Sequence, residues 1–132
     1  MQKVTPFLMF QNNDAEEAMT FYTSLIEDAS IKEIARYDEK GPGKPGSVIQ
    51  AVFTLKGQDF MCIDSHVKHA FDFTPSFSIY LTCDSELEIN RLYYTLAEGG
   101  QALMPLDNYG FSKCFGWVHD KFGVSWQLTF PH

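Results

Sequence analysis

The sequence predicts an α+β fold built from two tandem βαβββ units, forming a curved, mostly antiparallel sheet with helices on the outer face. Two observations predict this fold. Each half of the chain shows a strand, a helix and three strands in the same order. In addition, "TPFLMFQNNDAEEAMTFYTSL" at 5–25 is echoed by "TPSFSIYLTCDSELEINRLYYTL" at 74–96. We therefore expect a single domain over 1–132, with halves at about 1–65 and 74–132 and a connector at 66–73.

The composition fits one globular domain and excludes two classes of partner. The chain has 132 residues, 45% of them hydrophobic, and a net charge of −7. Nucleic-acid phosphates require clustered lysines and arginines, which an acidic chain does not predict. No apolar run approaches the ~20 residues of a membrane helix, and the first residues do not predict a signal peptide. With three widely spaced cysteines and no Cys-x-x-Cys pair, we expect a reduced, cytoplasmic protein.

The first half reads as a strand, a helix and three further strands. A strand at 7–11 leads to Asp14, a candidate N-cap, and to a helix with apolar residues at helical spacing up to Leu25. A strand at 31–37 precedes a Gly- and Pro-rich loop at 38–47. The strands at 48–55 and 58–64 then flank Lys56-Gly57, which predicts a two-residue hairpin turn.

The second half repeats that order. It predicts a strand at 77–82, an N-cap at Asp84 or Ser85, a helix to Ala97, a stop at "EGG" (98–100) and a strand at 101–104. The hairpin "KCFGWVHDKFGVSWQLTF" at 113–130 completes the chain.

The register of this last hairpin decides which side chains share a face. If 120–123 is a four-residue loop, Trp117 faces Trp126 and Cys114 faces Thr129. Side chains alternate along a strand, so a shift of one residue would exchange the two faces. The four-residue loop predicts a tryptophan pair in the core, with Cys114 and Gly116 beside Gln127 on the other face.

That other face is expected to line a cavity, contact a partner chain, or both. In the first half it carries apolar residues, which are not expected in a row against water. A loop at 105–113 is suited to closing over a cavity. The predicted ligand-binding residues are Gln127, Ser125, Thr129, Tyr80, Ser78, Met61, Phe7 and Tyr109. A dimer interface without any ligand is the alternative.

Cys114 is the candidate catalytic residue, since a thiol on the cavity face could act as a nucleophile if its pKa were lowered. Lys113 is the cation next to it in sequence, and an inert buried thiol is the alternative. Asp64, His66 and His69 cluster in or beside the connector, where solvated side chains are expected, and metal binding by them is left open.

The doubled unit, with "AEEAMTFYTSL", "GQDFMCIDS" and "CFGWVHDKFGVSWQL", resembles the glyoxalase, bleomycin-resistance and extradiol-dioxygenase (vicinal oxygen chelate) superfamily. It is similar to the PhnB-like branch, often labelled 3-demethylubiquinone-9 3-methyltransferase. The resemblance implies a cleft lined by both halves, with metal-ligand positions at Phe7, Met61, Ser78 or Phe77, and Gln127. Of these only Gln127 is a ligand type used by the superfamily, so we expect no metal site and no cofactor.

The resemblance implies a homodimer that binds a small, partly hydrophobic molecule in the cleft, and leaves open whether the molecule is converted. A binding protein that sequesters a drug or metabolite, as bleomycin-resistance proteins do, is the alternative. A third possibility is an interaction module with a filled cavity. The Gly-rich stretches "GPGKPG" and "EGG" do not form the strand-to-helix turn of a parallel βαβ unit, so no S-adenosylmethionine site is predicted.

Overall fold

The computed structural model describes residues 1–131, and its backbone follows the βαβββ order twice. The first set is β1 (Phe7–Phe10), α1 (Ala15–Leu25), β2 (Ala29–Arg36), β3 (Val48–Leu55) and β4 (Gln58–Asp64). The second is β5 (Ser78–Thr82), α2 (Glu86–Ala97), β6 (Gln101–Asp107), β7 (Cys114–His119) and β8 (Ser125–Phe130). The chain divides into two compact units, Met1–Ala70 and the part from Phe71 onward. The predicted α+β fold class of two βαβββ units is confirmed.

Each unit holds its own four-stranded mixed sheet. The strand order is β1-β4-β3-β2 in the first unit and β5-β8-β7-β6 in the second. The first and last strands of each unit pair in parallel, while the other neighbours are antiparallel. The hydrogen bonds thus form two sheets of the same topology, each with two antiparallel pairs for one parallel pair.

The β3–β4 hairpin has the predicted turn and register. Lys56 and Gly57 both have positive φ, 50° and 85°, as a type I′ turn requires. Phe53 pairs with Phe60, and their rings stack with centroids 5.4 Å apart. The Tyr22 ring of α1 lies 6.2 Å from the Phe53 ring, and all three side chains are buried. This aromatic pair belongs to the helix-side core, as predicted.

Helix α1 begins against a buried carboxylate from the end of β4. Asp14 occupies the predicted N-cap position, yet its side chain makes no capping hydrogen bond. The Ala15 N–H instead donates to Asp64 Oδ1 at 2.9 Å, and the Val48 N–H donates to Asp64 Oδ2 at 2.8 Å. Asp64 is 1% exposed, and its charge suits the positive end of the helix dipole.

Helix α2 is capped by its own residues and packs closely on β7. Ser85 Oγ accepts a hydrogen bond from the Glu88 N–H at 3.0 Å, which selects Ser85 from the two predicted N-caps. At Gly116 an added Cβ would lie 2.6 Å from the Tyr93 ring, so this contact requires glycine. The described helices have 11 and 12 residues, too short to cross a bilayer.

The β7–β8 turn is one residue shorter than predicted. The Asp120 N–H donates to the Val124 carbonyl at 2.9 Å, which leaves a loop of three residues, 121–123. Gly123 has φ 91°, the conformation that ends a three-residue hairpin loop. Asp120 Oδ1 accepts from the Phe122 and Val124 N–H groups, and Asp120 Oδ2 accepts from Trp126 Nε1 at 2.8 Å.

This turn corrects the predicted faces of β7. The observed pairs are Cys114 with Phe130, Trp117 with Gln127, and His119 with Ser125. The predicted pairing of Trp117 with Trp126 was therefore wrong, and so was the placement of Cys114 and Gly116 beside Gln127. Because successive side chains point to opposite faces, a loop shorter by one residue exchanges the two faces of β7 relative to β8.

Candidate functional site

Three neighbouring strands of the second unit bring polar and aromatic side chains onto one sheet face. Parallel pairing of β5 with β8 sets Ser78 beside Ser125 and Tyr80 beside Gln127, while β7 places Trp117 opposite Gln127. Alternation along β8 adds Thr129 to the same face. We call this surface the Gln127 face, defined by Ser78, Tyr80, Trp117, Ser125, Gln127 and Thr129.

A hydrogen-bond chain joins four of these side chains. Trp117 Nε1 donates to Ser125 Oγ at 2.8 Å, and the Ser125 and Ser78 hydroxyl oxygens lie 2.7 Å apart. Gln127 Nε2 donates to Ser78 Oγ at 3.2 Å. Ser125 is only 2% exposed, and a buried hydroxyl without a hydrogen bond would lower the stability of the fold. These partners supply the hydrogen bonds that the Ser125 hydroxyl needs. These hydrogen bonds hold the Gln127 side chain in a defined orientation.

The remaining members of the Gln127 face differ in access to solvent. Tyr80 is 54% exposed, Gln127 is half-buried and Thr129 is buried. The strand segments that form the face, β5, β7 and β8, contain no Lys, Arg, Asp or Glu. The face therefore combines a few neutral hydrogen-bonding groups with aromatic surface, which is typical of small-molecule sites.

Tyr109 lies in the loop after β6, against the β7 end of this face. Its ring centroid is 6.1 Å from that of Phe115, which pairs with Thr129, and 6.3 Å from that of Phe111. The Phe111 and Phe115 rings meet edge to face at 5.0 Å. The Tyr109 hydroxyl donates to the Pro105 carbonyl at 2.6 Å. The three rings thus anchor the loop.

In the first unit, the predicted residues Phe7 and Met61 form a direct cross-strand pair between β1 and β4. Val52 of β3 pairs with Met61 from the other side, so an apolar row crosses this face as predicted. Phe7 is 51% exposed, a high value for a phenylalanine. Gln50 Nε2 lies 4.0 Å from Met61 Sδ.

The residues at the superfamily's metal positions do not fit a divalent ion. Phe7 and Met61 supply a ring and a thioether, whereas Ser78 and Gln127 supply a hydroxyl and an amide that bond to each other. Divalent ions require several oxygen or nitrogen donors together. Within residues 1–131, no group of three or more His, Cys, Asp or Glu side chains could hold a metal.

Cys114 lies on the opposite side of the sheet, in a groove next to α2. Burial raises the pKa of the Cys114 thiol, and the Glu86 and Asp107 carboxylates raise it further. The groove has a volume of about 390 Å³ and is lined by Glu86, Asn90, Tyr94, Leu106, Asp107, Asn108, Lys113, Cys114 and Phe130. A nucleophilic cysteine needs a lowered pKa, so these surroundings oppose the predicted role.

Of the residues in or beside the connector, Asp64 and His66 make contacts within the first unit. The Asp64 carboxylate accepts the two backbone hydrogen bonds at the start of α1 and β3. The His66 ring lies edge-on to Tyr37 with centroids 6.3 Å apart.

In the second unit, His119 Nε2 lies 3.2 Å from Gln101 Oε1.

Sequence reasoning missed Trp117, whose indole N–H donates to Ser125 Oγ on the Gln127 face. A partial signal was present in "DKFG", because the glycine that ends the turn fits the left-handed last residue of a three-residue loop as well as a four-residue loop. The three-residue loop would have placed Trp117 beside Gln127.

Comparison with known proteins gives one family and a consistent fold. The family described as 3-demethylubiquinone-9 3-methyltransferase matches residues 2–129. A Bacillus cereus PhnB protein, whose description proposes a 3-demethylubiquinone-9 3-methyltransferase, is 60% identical and has a TM-score of 0.94. The match covers 98% of this chain and 99% of that one.

Two further structures extend the likeness. Protein PA1353 from Pseudomonas aeruginosa is 26% identical with a TM-score of 0.85, over 99% of this chain and 98% of that one. The fosfomycin resistance protein FosX from Listeria monocytogenes, described in complex with Mn(II) and 1S,2S-dihydroxypropylphosphonic acid, is 10% identical with a TM-score of 0.66. It covers 100% of this chain and 94% of that one, and it shows the fold alone. Among curated proteins, none matches the chain.

Proposed function

Since this chain belongs to the 3-demethylubiquinone-9 3-methyltransferase (PhnB-like) family of the glyoxalase and bleomycin-resistance fold, we propose that it binds a small, partly hydrophobic molecule on the Gln127 face. Gln127 and Tyr80 contact the ligand, while Ser78 and Ser125 hold Gln127 in place. A contact from the buried Thr129 stays a prediction. The hydrogen-bond chain from Trp117 to Gln127 carries the proposal. A preorganised polar group among aromatic side chains is what small-molecule recognition requires.

Binding is the proposed activity, and we assign no bond-making step. The Ser78 and Ser125 hydroxyls are hydrogen-bonded to each other, to an indole N–H and to an amide, and none of these partners is a general base. Cys114 points to the α2 side of its sheet, away from this face. Contacts from Phe7, Met61 and Tyr109 to the ligand stay predictions.

The test is a screen of small aromatic fragments by ¹H–¹⁵N chemical-shift perturbation on the full chain. We expect the best fragments to shift resonances of β5, β7 and β8 on the Gln127 face. Replacing Gln127→Leu should weaken the best fragment at least about fivefold, the cost of one lost hydrogen bond. Gln58→Leu, at an exposed glutamine of the β3–β4 hairpin, is the matched control and should leave the affinity unchanged.

Two results would overturn this proposal. One is a fragment set that binds only elsewhere, or that binds equally well to Gln127→Leu. The other is a clear rise in melting temperature with S-adenosylmethionine, because a ligand that binds the folded state raises its stability. That rise would favour the methyl transfer named in the family description.

A further inference from the structure

The Gln127 amide has two ends, and its hydrogen bonds decide which one faces a ligand. An indole N–H can only donate, so Ser125 Oγ must accept from Trp117 Nε1. Ser125 then has its own proton for the 2.7 Å contact with Ser78 Oγ. A carbonyl can only accept, and the Pro75 oxygen, 3.5 Å from Ser78 Oγ, can accept a long hydrogen bond from the Ser78 hydroxyl.

Whichever serine hydroxyl donates across the 2.7 Å contact, Ser78 Oγ accepts from Gln127 Nε2. The amide nitrogen of Gln127 is therefore held inside the network. No residue in 1–131 donates a hydrogen bond to Gln127 Oε1. The amide carbonyl oxygen, an acceptor with two lone pairs, is the end left for a ligand.

The neighbours of that oxygen suit a flat ring. Tyr80 and Trp117 pair with Gln127 from the strands on either side, so aromatic side chains flank the amide along the sheet. Aromatic groups pack well against aromatic ligands in offset or edge-to-face contact. β5, β7 and β8 carry no Lys or Arg, and their one histidine, His119, lies opposite Ser125 at the end of this face with its ring nitrogens 3.2 Å from the Asp120 carbonyl and from Gln101 Oε1. The strands of this face therefore offer no permanent cation to pair with an acidic ligand.

We infer that the ligand is a neutral or cationic aromatic compound that donates an N–H or O–H to Gln127 Oε1, and that Ser78 and Ser125 are positioning residues for this contact. The inference rests on the proposed function. It adds a requirement for a hydrogen-bond donor on the ligand, because an aromatic ring without a donor would displace water from the Gln127 carbonyl without replacing its hydrogen bond.

The test uses two matched pairs of compounds on the full chain, with dissociation constants from ¹H–¹⁵N titrations. Indole is compared with benzothiophene, and 2-naphthol with 2-methoxynaphthalene; the first member of each pair carries the donor. We expect the donors to bind about tenfold more tightly, because only they can make the hydrogen bond to Gln127 Oε1.

Variants separate positioning from general packing. Ser78→Ala removes the amide anchor, so the donor preference, which is the ratio of the two dissociation constants within each pair, should fall to about threefold or less. Ser78→Thr keeps a hydroxyl and should retain the preference. Ser24→Ala, at an exposed serine of α1 that bonds the Phe21 carbonyl, is the matched control.

The outcomes distinguish this inference from the proposed function. Equal binding of both members of each pair, or tighter binding of benzothiophene, overturns the donor requirement and leaves ligand binding intact. A donor preference that persists in Ser78→Ala overturns the positioning role. If none of the four compounds binds the Gln127 face while fragments of the wider screen do, the inference fails and the proposed function stands.

Discussion

The Cys114 thiol is surrounded by groups that keep it protonated. Its side chain lies in the groove beside α2, where burial is the main cause of its raised pKa and the Glu86 and Asp107 carboxylates add to it. Desolvation and like charge both disfavour the thiolate. The surroundings of Cys114 therefore decide its reactivity, because the same thiol beside a cation would have a lowered pKa and would be reactive.

This environment predicts slow alkylation of Cys114. A raised pKa leaves a smaller thiolate fraction at any pH below it, so native Cys114 should react with iodoacetamide more slowly than the urea-unfolded chain. The rate should rise at a higher pH than it does for the unfolded chain. Peptide mass spectrometry between neutral and alkaline pH measures this.

Asp107→Asn is the control for the charge contribution. It removes one of the carboxylates that raise the Cys114 pKa, so the pH profile of alkylation should move to lower pH. A native Cys114 that reacts faster than the unfolded chain at neutral pH would contradict this account and restore a nucleophilic role.

At the scale of elements, the start of α1 depends on a residue far along the chain. Asp64 accepts from the Ala15 N–H, 49 residues earlier, and from the Val48 N–H, 16 residues earlier. Helix α2 instead uses the local hydrogen bond from Glu88 N–H to Ser85 Oγ. The two units therefore share an element order but cap their helices differently.

This difference predicts unequal losses of stability. Asp64→Ala leaves two buried N–H donors unpaired and should lower the free energy of unfolding by about 2–4 kcal/mol. Ser85→Ala removes one exposed cap and should cost about 1 kcal/mol. Urea unfolding followed by circular dichroism measures both. A loss at Asp64→Ala no larger than that at Ser85→Ala would show that Asp64 does not hold the start of α1.

The two hairpins differ in how well their local sequence predicts the strand register. In β3–β4, the turn Lys56-Gly57 allows two positive φ values and predicted the observed register. In β7–β8, the contact from Asp120 N–H to the Val124 carbonyl shortens the loop by one residue. The Asp120 carboxylate supports it through hydrogen bonds to Val124 and Trp126. Local pattern alone did not separate a three-residue from a four-residue loop.

At the scale of the whole molecule, large apolar side chains remain open to solvent. Phe7, Phe77, Tyr80 and Phe111 are each more than half exposed. Exposed aromatic side chains are typical of surfaces that bind a ligand or another chain, and both units carry them. They give the predicted homodimer a physical reason, since association would remove apolar surface from water.

We therefore expect light scattering to give twice the mass of one chain at micromolar concentration. Phe7→Ser should shift the equilibrium toward monomer, because it removes an apolar side chain from the sheet face that the prediction assigns to a partner. Leu87→Ser, at an exposed leucine of α2, is the matched control and should leave the dimer intact. A single-chain mass at every concentration would contradict the homodimer.

The sequence by itself determined the element order, the doubled βαβββ unit and the face of each residue in β3 and β4. These features depend on local periodicity, helix caps and a two-residue turn, all of which lie within a few residues. The sequence also pointed to Ser78, Ser125 and Gln127, through their alternation with buried neighbours on β5 and β8.

Only the tertiary structure decided that Trp117 joins these residues and that Cys114 does not. The parallel pairing of β5 with β8 brings the Ser78 and Ser125 hydroxyls together across 47 residues, and no local pattern specifies such a contact. The face of β7 depends on one residue of loop length, which hydrogen bonds to Asp120 select once the sheet is formed. Side-chain alternation makes that single residue decide the composition of the site.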